Sequence, residues 1–331
     1  MARRFSSLGT SFFLPVLLCP AGFAFQAGVG PEPVSLKPRL KSEFTANALV
    51  PEAHLRIDSS LVLIPVHVTT PDGLSVTNLT RENFQLTEDS VAQTITTFSK
   101  DDAPVSLGLV FDTSGSMHNK IRKAAETVAK FFKTANPDDE FFLVEFNEKP
   151  KLTVPFTPDS DNIYRRIARA KPFGRTSLLD AIRLSMAEMK KAHNFRKALV
   201  IVSDGGDNRS RYTEGEIRRA MAESDLQLFA MGIFDQDQRK MTPEELNGPR
   251  LLDDLADQSG GRLYTVDRVE DLESICGKIS EELRNQYVLG YSPQNVSRDG
   301  KYRQVRLKLD EVPAEPKLRT FYRRGYYAPA Q

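Results

Sequence analysis

Tryptophan is absent from this chain of 331 residues, an omission from which nothing follows, but the other scarcities each exclude something. Two cysteines, Cys19 and Cys276, cannot build a disulfide framework or a four-thiolate zinc site. The four histidines, His54, His67, His118 and His193, show no metal-binding spacing. Neither sign of charge dominates. Against 45 Lys and Arg stand 44 Asp and Glu, a net charge of +1 with no basic block, so a general electrostatic grip on nucleic acid is not expected. Long hydrophobic runs are missing as well: the apolar stretch Phe12 to Leu18 is too short to span a bilayer, and no stable membrane span is expected. What is present, 40% apolar and 27% charged residues, is the composition of a globular protein with room for one large domain or two modest ones.

The chain divides by pattern. Arg3 and Arg4, the short apolar run and the small-x-small sequence Gly22-Phe23-Ala24 read as a signal peptide over residues 1–24, which predicts a secreted or periplasmic protein. Lipid anchoring at Cys19 is a minor alternative, because Leu18 is large where that signal takes a small residue. Cleavage removes Cys19, leaves Cys276 without a partner and, by taking Arg3 and Arg4, brings the exported chain close to neutral. Attraction for an acidic partner is then expected to be local, at one bound cation, rather than long-range. Residues 25–58, with Pro31, Pro33, Pro38 and Pro51, read as a linker or extended arm.

Residues 59–104 form an all-β segment: strands are expected at Leu61–Val68, Phe84–Thr87 and Thr94–Phe98, with Pro65 marking an edge position or a bulge. Strand and helix then alternate over 105–285, from the apolar strand Val105–Phe111 and the helix Ile121–Phe132 through to a helix at 270–284. The polar stretch 235–249 reads as a loop before a helix near 250–257, and Asp235-Gln236-Asp237 as solvated loop residues. Residues 286–327 return to β, ending in Phe321-Tyr322-Arg323-Arg324-Gly325-Tyr326-Tyr327, which is read as a terminal strand rather than a single-strand binder. The expected fold is α/β, a doubly wound and mostly parallel six-stranded sheet, with the two flanking segments pairing into one small β-sandwich.

The residues that carry chemistry are Asp112-Thr113-Ser114-Gly115-Ser116, placed where a buried strand ends and a helix begins. In an open α/β sheet, the crevice beyond the carboxyl ends of the strands is where ligands bind. Thr176 and Asp204 fall at equivalent places, and all three loops open on one rim if the strands ending at Phe111 and Val202 are neighbours. Hydroxyls and carboxylates without His or Cys suit a hard cation, Mg²⁺, Mn²⁺ or Ca²⁺, rather than Zn²⁺ or Cu²⁺. Two aspartates against a divalent cation leave a neutral site, attractive to one further carboxylate beside the positive start of a helix.

With these residues in this order, the region 105–285 resembles a von Willebrand factor type A domain. Asp112, Ser114, Ser116, Thr176 and Asp204 match that family's metal-ion-dependent adhesion site. The resemblance implies one antiparallel edge strand and Ser114 and Ser116 as direct ligands, with Thr176, Asp204 and Asp112 engaging directly or through water. It also implies Mg²⁺ as the foremost cation and an acidic group of a protein partner completing the coordination. Asn83-Phe84, Thr87-Glu88-Asp89 and Gln286-Tyr287-Val288-Leu289-Gly290-Tyr291 extend the resemblance to secreted bacterial VWFA-related proteins over most of residues 60–327.

A structural scaffold whose metal only stabilises loops is an alternative, and a metal-dependent hydrolase a more remote one. A strand-end aspartate nucleophile needs a second acid two residues on, where Ser114 stands, and a Gly-x-Ser-x-Gly elbow fails because Asp112 holds the first Gly position. The expected protein is therefore not an enzyme.

Overall fold

The computed structural model describes residues 61–100, 102–132, 135–234, 243–266, 268–310 and 317–330. The leader and arm expected over 1–58, and Asp235-Gln236-Asp237, lie outside them. The first strands are β1 (Val62–Thr69), β2 (Phe84–Glu88), β3 (Val91–Gln93) and β4 (Ile95–Ser99). An alternating unit follows: β5 (Val105–Asp112), α1 (Ile121–Phe132), β6 (Glu140–Phe146), β7 (Lys151–Thr157), α2 (Ser160–Ile167), α3 (Leu178–Met189) and β8 (Arg196–Ser203). It continues through α4 (Glu214–Ala222), β9 (Gln227–Gly232), α5 (Pro243–Ser259), β10 (Leu263–Thr265) and α6 (Leu272–Arg284). The last strands are β11 (Gln286–Tyr291), β12 (Tyr302–Leu309), β13 (Arg319–Tyr322) and β14 (Gly325–Tyr327).

The alternating unit builds a six-stranded sheet in the order β10-β9-β8-β5-β6-β7. Every pairing in it is parallel except that of β7, which runs antiparallel to β6 at the edge. β5 is buried along its whole length, as its unbroken apolar run requires, because helices cover both faces. On one face Leu107, Leu109 and Phe111 meet residues of α1, α2 and α6. On the other, Val110, Leu199 and Ile201 meet α3, α4 and α5. β5 and β8 are neighbours, so the ends that carry Asp112 and Asp204 share one rim.

The flanking segments interleave. Two four-stranded sheets form, β13-β1-β11-β4 and β14-β12-β2-β3, all antiparallel, each drawing strands from both sides of the α/β unit. Ile64, Val66, Tyr287 and Leu289 of the first share a core with Phe84, Leu86, Val305 and Leu307 of the second, which makes the expected β-sandwich. Pro65 sits inside an interior strand, but β13 pairs only with Val66–Thr69, so the proline lies where β1 has one neighbour.

The aromatic and basic tail is structural. Tyr322 and Tyr326 are buried in the sandwich core, while Arg323 pairs with Asp225 and Arg324 donates to Asp257 at 2.8 Å, tying the sandwich to the α/β unit. Beside this seam the buried His67 of β1 and Glu282 of α6 lie with the half-buried Arg262, His67 Nδ1 3.7 Å from Glu282 and Arg262 3.0 Å from it. Burial, helped by the Arg262 charge, pushes His67 down to about 4.

One helix differs from expectation. α5 starts at Pro243, not near 250, so part of the stretch read as loop is helical. Its early turns carry Gly248-Pro249, which looks like a break in sequence, but Gly248 is needed for contact: a Cβ there would lie 2.3 Å from the Gly205 carbonyl oxygen. Among the described residues, no helix is long and apolar enough to cross a membrane.

Candidate metal centre

Asp112 is the last residue of β5 and is fully buried. Its two oxygens are held by different elements: Oδ1 accepts from the Ser114 amide at 2.8 Å, and Oδ2 accepts from the Ser203 hydroxyl, at the end of β8, at 2.6 Å. Ser203 in turn accepts from the Gly205 amide at 3.0 Å, which sets the turn carrying Asp204. Burial, and then the negative charge of Asp204, push the Asp112 carboxyl well above the ordinary carboxylate range. Two carboxylates have thus been brought together in a low-dielectric rim.

Ser114 is in extended conformation and leads into a 3-10 turn over Gly115–Met117, with Met117 buried beneath it. The Ser114 and Ser116 hydroxyls lie 3.1 Å apart and share a hydrogen bond. That separation is also close to the ~3 Å between adjacent oxygens around a six-coordinate ion with ligands at ~2.1 Å. Ser116 is exposed and Ser114 buried, so the pair opens outward from the strand end.

The loop of Thr176 is docked onto this turn. Gly115 N donates to the Gly174 carbonyl at 3.1 Å, and Phe173 N to the Thr113 carbonyl at 3.0 Å. Thr176 is clamped from the other side: its amide donates to Asn208 Oδ1 at 3.1 Å, and the Asn208 amide returns a bond to its carbonyl at 3.1 Å. Asp207 accepts from the Leu179 amide at the start of α3. The structure therefore gathers the loops of Asp112, Ser114, Ser116, Thr176 and Asp204 on one rim. The donor set, two carboxylates with hydroxyls, is one that a hard cation takes. Among the described residues, no three His, Cys, Asp or Glu side chains gather as metal ligands.

Residues 107–206 match the family model of the von Willebrand factor type A domain. This match contains all five candidate residues and ends two positions after Asp204. No curated protein matches the chain. Among solved structures, the chain is similar to the conserved hypothetical protein BatB from Bacteroides thetaiotaomicron, at 17% identity and a TM-score of 0.44, over 54% of this chain and 98% of that one. The vWF domain of the type V pili tip protein Mfa5 from Porphyromonas gingivalis gives 13% identity and a TM-score of 0.44, over 54% and 95%. The PilB minor pilin from Streptococcus sanguinis gives 15% and 0.44, over 56% and 62%.

Sequence reasoning missed Ser203 and Asn208, which orient the site without belonging to the candidate set. Ser203 could have been flagged by its place beside Asp204 at a strand end. His118 is exposed just after the 3-10 turn, and Cys276 is buried in α6, where burial pushes its thiol up to about 12.

Proposed function

We propose that the chain is an exported, non-catalytic binding protein. Its α/β domain would hold a divalent cation, Mg²⁺ foremost, with Mn²⁺ or Ca²⁺ as alternatives, and use it to grip an acidic group of a protein partner. The observation that carries this reading is the pair of hydroxyls, Ser114 and Ser116, 3.1 Å apart beside two mutually repelling carboxylates at adjacent strand ends. Ser114 and Ser116 would be direct ligands, with Thr176 and Asp204 contacting the ion directly or through water. Asp112 accepts from the Ser114 amide on one oxygen and the Ser203 hydroxyl on the other, and each carboxylate oxygen has a second lone pair that the ion or its waters would use. When bound, the cation supplies a fixed positive charge with a coordination position for a carboxylate oxygen.

A hydrolytic role has less support. The Ser114 hydroxyl faces the Ser116 hydroxyl and not a histidine, so it lacks the base that an activated serine needs. Export rests on the signal sequence read over residues 1–24.

Thermal unfolding with and without Mg²⁺ tests the site. At a hundredfold excess over Kd, a native-state ligand adds about 2.7 kcal/mol, which for a domain of this size raises Tm by about 5–10 °C. Asp112→Ala and the gentler, exposed Ser116→Ala should reduce that shift, and EDTA should remove it. An identical Tm with Mg²⁺ and with EDTA would contradict the reading. Partner capture that survives EDTA and Asp112→Ala would leave the metal a loop-stabilising role and overturn the adhesive part.

A further inference from the structure

The near-neutral total conceals an uneven distribution of charge. Two grooves lie next to the loops that carry the candidate cation site. One, of about 1000 Å³, is lined by Lys149, Arg183, Arg209 and Arg211 together with Glu148 and Asp180. The other, of about 330 Å³, carries Lys149 again, with Lys151, Arg169 and Lys171, and also includes Thr113, the residue between Asp112 and Ser114. Neither is lined by a candidate ligand, but each reaches a residue next to the rim: the first Arg209, beside the Asn208 that clamps Thr176, and the second Thr113, between Asp112 and Ser114.

Two of the three acids along these grooves, Glu145 and Asp180, are already engaged by the chain. Glu145 pairs with Arg166 at 2.5 Å, and Asp180 Oδ1 accepts from the Arg211 and Tyr212 amides at 2.8 and 3.1 Å. Elsewhere arginines are matched, as Arg218 is to Asp254, Arg303 to Asp299 and Arg324 to Asp257. Among the described residues no carboxylate pairs with any of the groove cations just named. All of these except Arg183, which lies over the Tyr212 ring, are exposed. Unpaired cations in two grooves that meet at Lys149, next to the loops of one candidate cation site, form a surface for a polyanion.

We infer that the two basic grooves beside the Asp112 rim dock an extended acidic segment of a protein partner, which places one carboxylate on the bound cation and further carboxylates over the grooves. This rests on the reading of the rim as a cation site and adds the chemistry of the partner. A polypeptide fits better than a nucleic acid. The exposed Glu148 carboxylate, which lines the first groove beside Lys149, interrupts the basic track, so a continuous polyphosphate would meet like charge there, whereas a peptide can space its acids between uncharged residues. Phe173, 60% exposed, and Tyr212, 42% exposed, add apolar contact area at the groove walls.

The probe is a synthetic peptide of alternating Glu and Gly, titrated onto the full chain in Mg²⁺ at about 0.15 M salt, with an oligothymidylate of matched charge as the competitor class. The variant combines Lys151→Glu, Lys171→Glu, Arg209→Glu and Arg211→Glu, all exposed and without side-chain partners, so its fold is retained. Four exposed charge contacts are lost and replaced by like-charge repulsion, so peptide affinity should fall about tenfold or more while Mg²⁺ binds the free variant no more weakly. Equal peptide affinity in the variant and the parent overturns the inference, as does tighter binding of the oligothymidylate than of the peptide. If the parent binds no Mg²⁺ yet holds the peptide through these four residues, the cation reading fails and the basic docking surface stands.

Discussion

Asp112 is held by two hydrogen bonds from two loops, and only one of its partners was legible in sequence. The Ser114 amide is local, two residues along, and belongs to the same motif. Ser203 reaches it from the neighbouring strand, 91 residues away, and nothing in the local pattern around Ser203 says which carboxylate it will face. The same holds for Asn208, whose clamp on Thr176 depends on how two loops meet. The buried histidine was likewise illegible, since His67 lies in an apolar strand and only the packing of α6 brings Glu282 and Arg262 to it. Its titration has a testable consequence. His67 stays neutral in the folded state until about pH 4, whereas an unfolded histidine protonates near 6.5. The unfolded state therefore binds the extra proton between those values, and stability is full above pH 6.5 and declines as the pH falls toward 4. Compared with His67→Gln, which can keep a hydrogen bond to Ser75, the parent should lose on the order of 3 kcal/mol more over that window, read from urea midpoints. A stability difference independent of pH would contradict it.

At the scale of elements, α5 acts on the site through one contact. Gly205 has φ +80°, a left-handed conformation that suits glycine, and Gly248 of α5 packs against its backbone with no room for a methyl group. Gly248→Ala should therefore displace the Asp204 turn or the helix, costing about 1–3 kcal/mol and weakening Mg²⁺ binding, whereas a plain glycine to alanine change within a helix is stabilising. Calorimetric titration of the variant with Mg²⁺ checks this, and unchanged affinity with raised stability would refute it. The start of α5 was misread from sequence because Gly248-Pro249 looks like punctuation until Gly205 is placed beside it. By contrast β5 and β8 were legible, since a strand buried on both faces is apolar throughout. The alternation of strand and helix gave the six-stranded sheet, and Val305 and Leu307 at every second residue gave β12. Which flanking strand joins which sheet was not legible: β1 lies between β13 and β11, partners more than 200 residues away in sequence, a pairing chosen by the shared core of both sheets and not by any turn.

Across the whole molecule, the proposed basic grooves would add to the attraction for acids expected at a bound cation. Composition counts charges and cannot say which are paired. Arginines at the seam between sandwich and sheet are taken up by aspartates, while lysines and arginines around the Asp112 rim are left to solvent. Binding of an acidic segment should accordingly weaken as salt screens the rim, although the net charge of +1 by itself predicts almost no salt effect. All of this converges on one place, the space between the Ser114 and Ser116 hydroxyls. A crystal structure of the chain grown with Mg²⁺ tests it most directly. The account predicts one ion there with oxygen ligands at ~2.1 Å, both serine hydroxyls among them, and an outward position open to a carboxylate or water. Featureless density between the two hydroxyls, still hydrogen-bonded to each other in the presence of Mg²⁺, would contradict it.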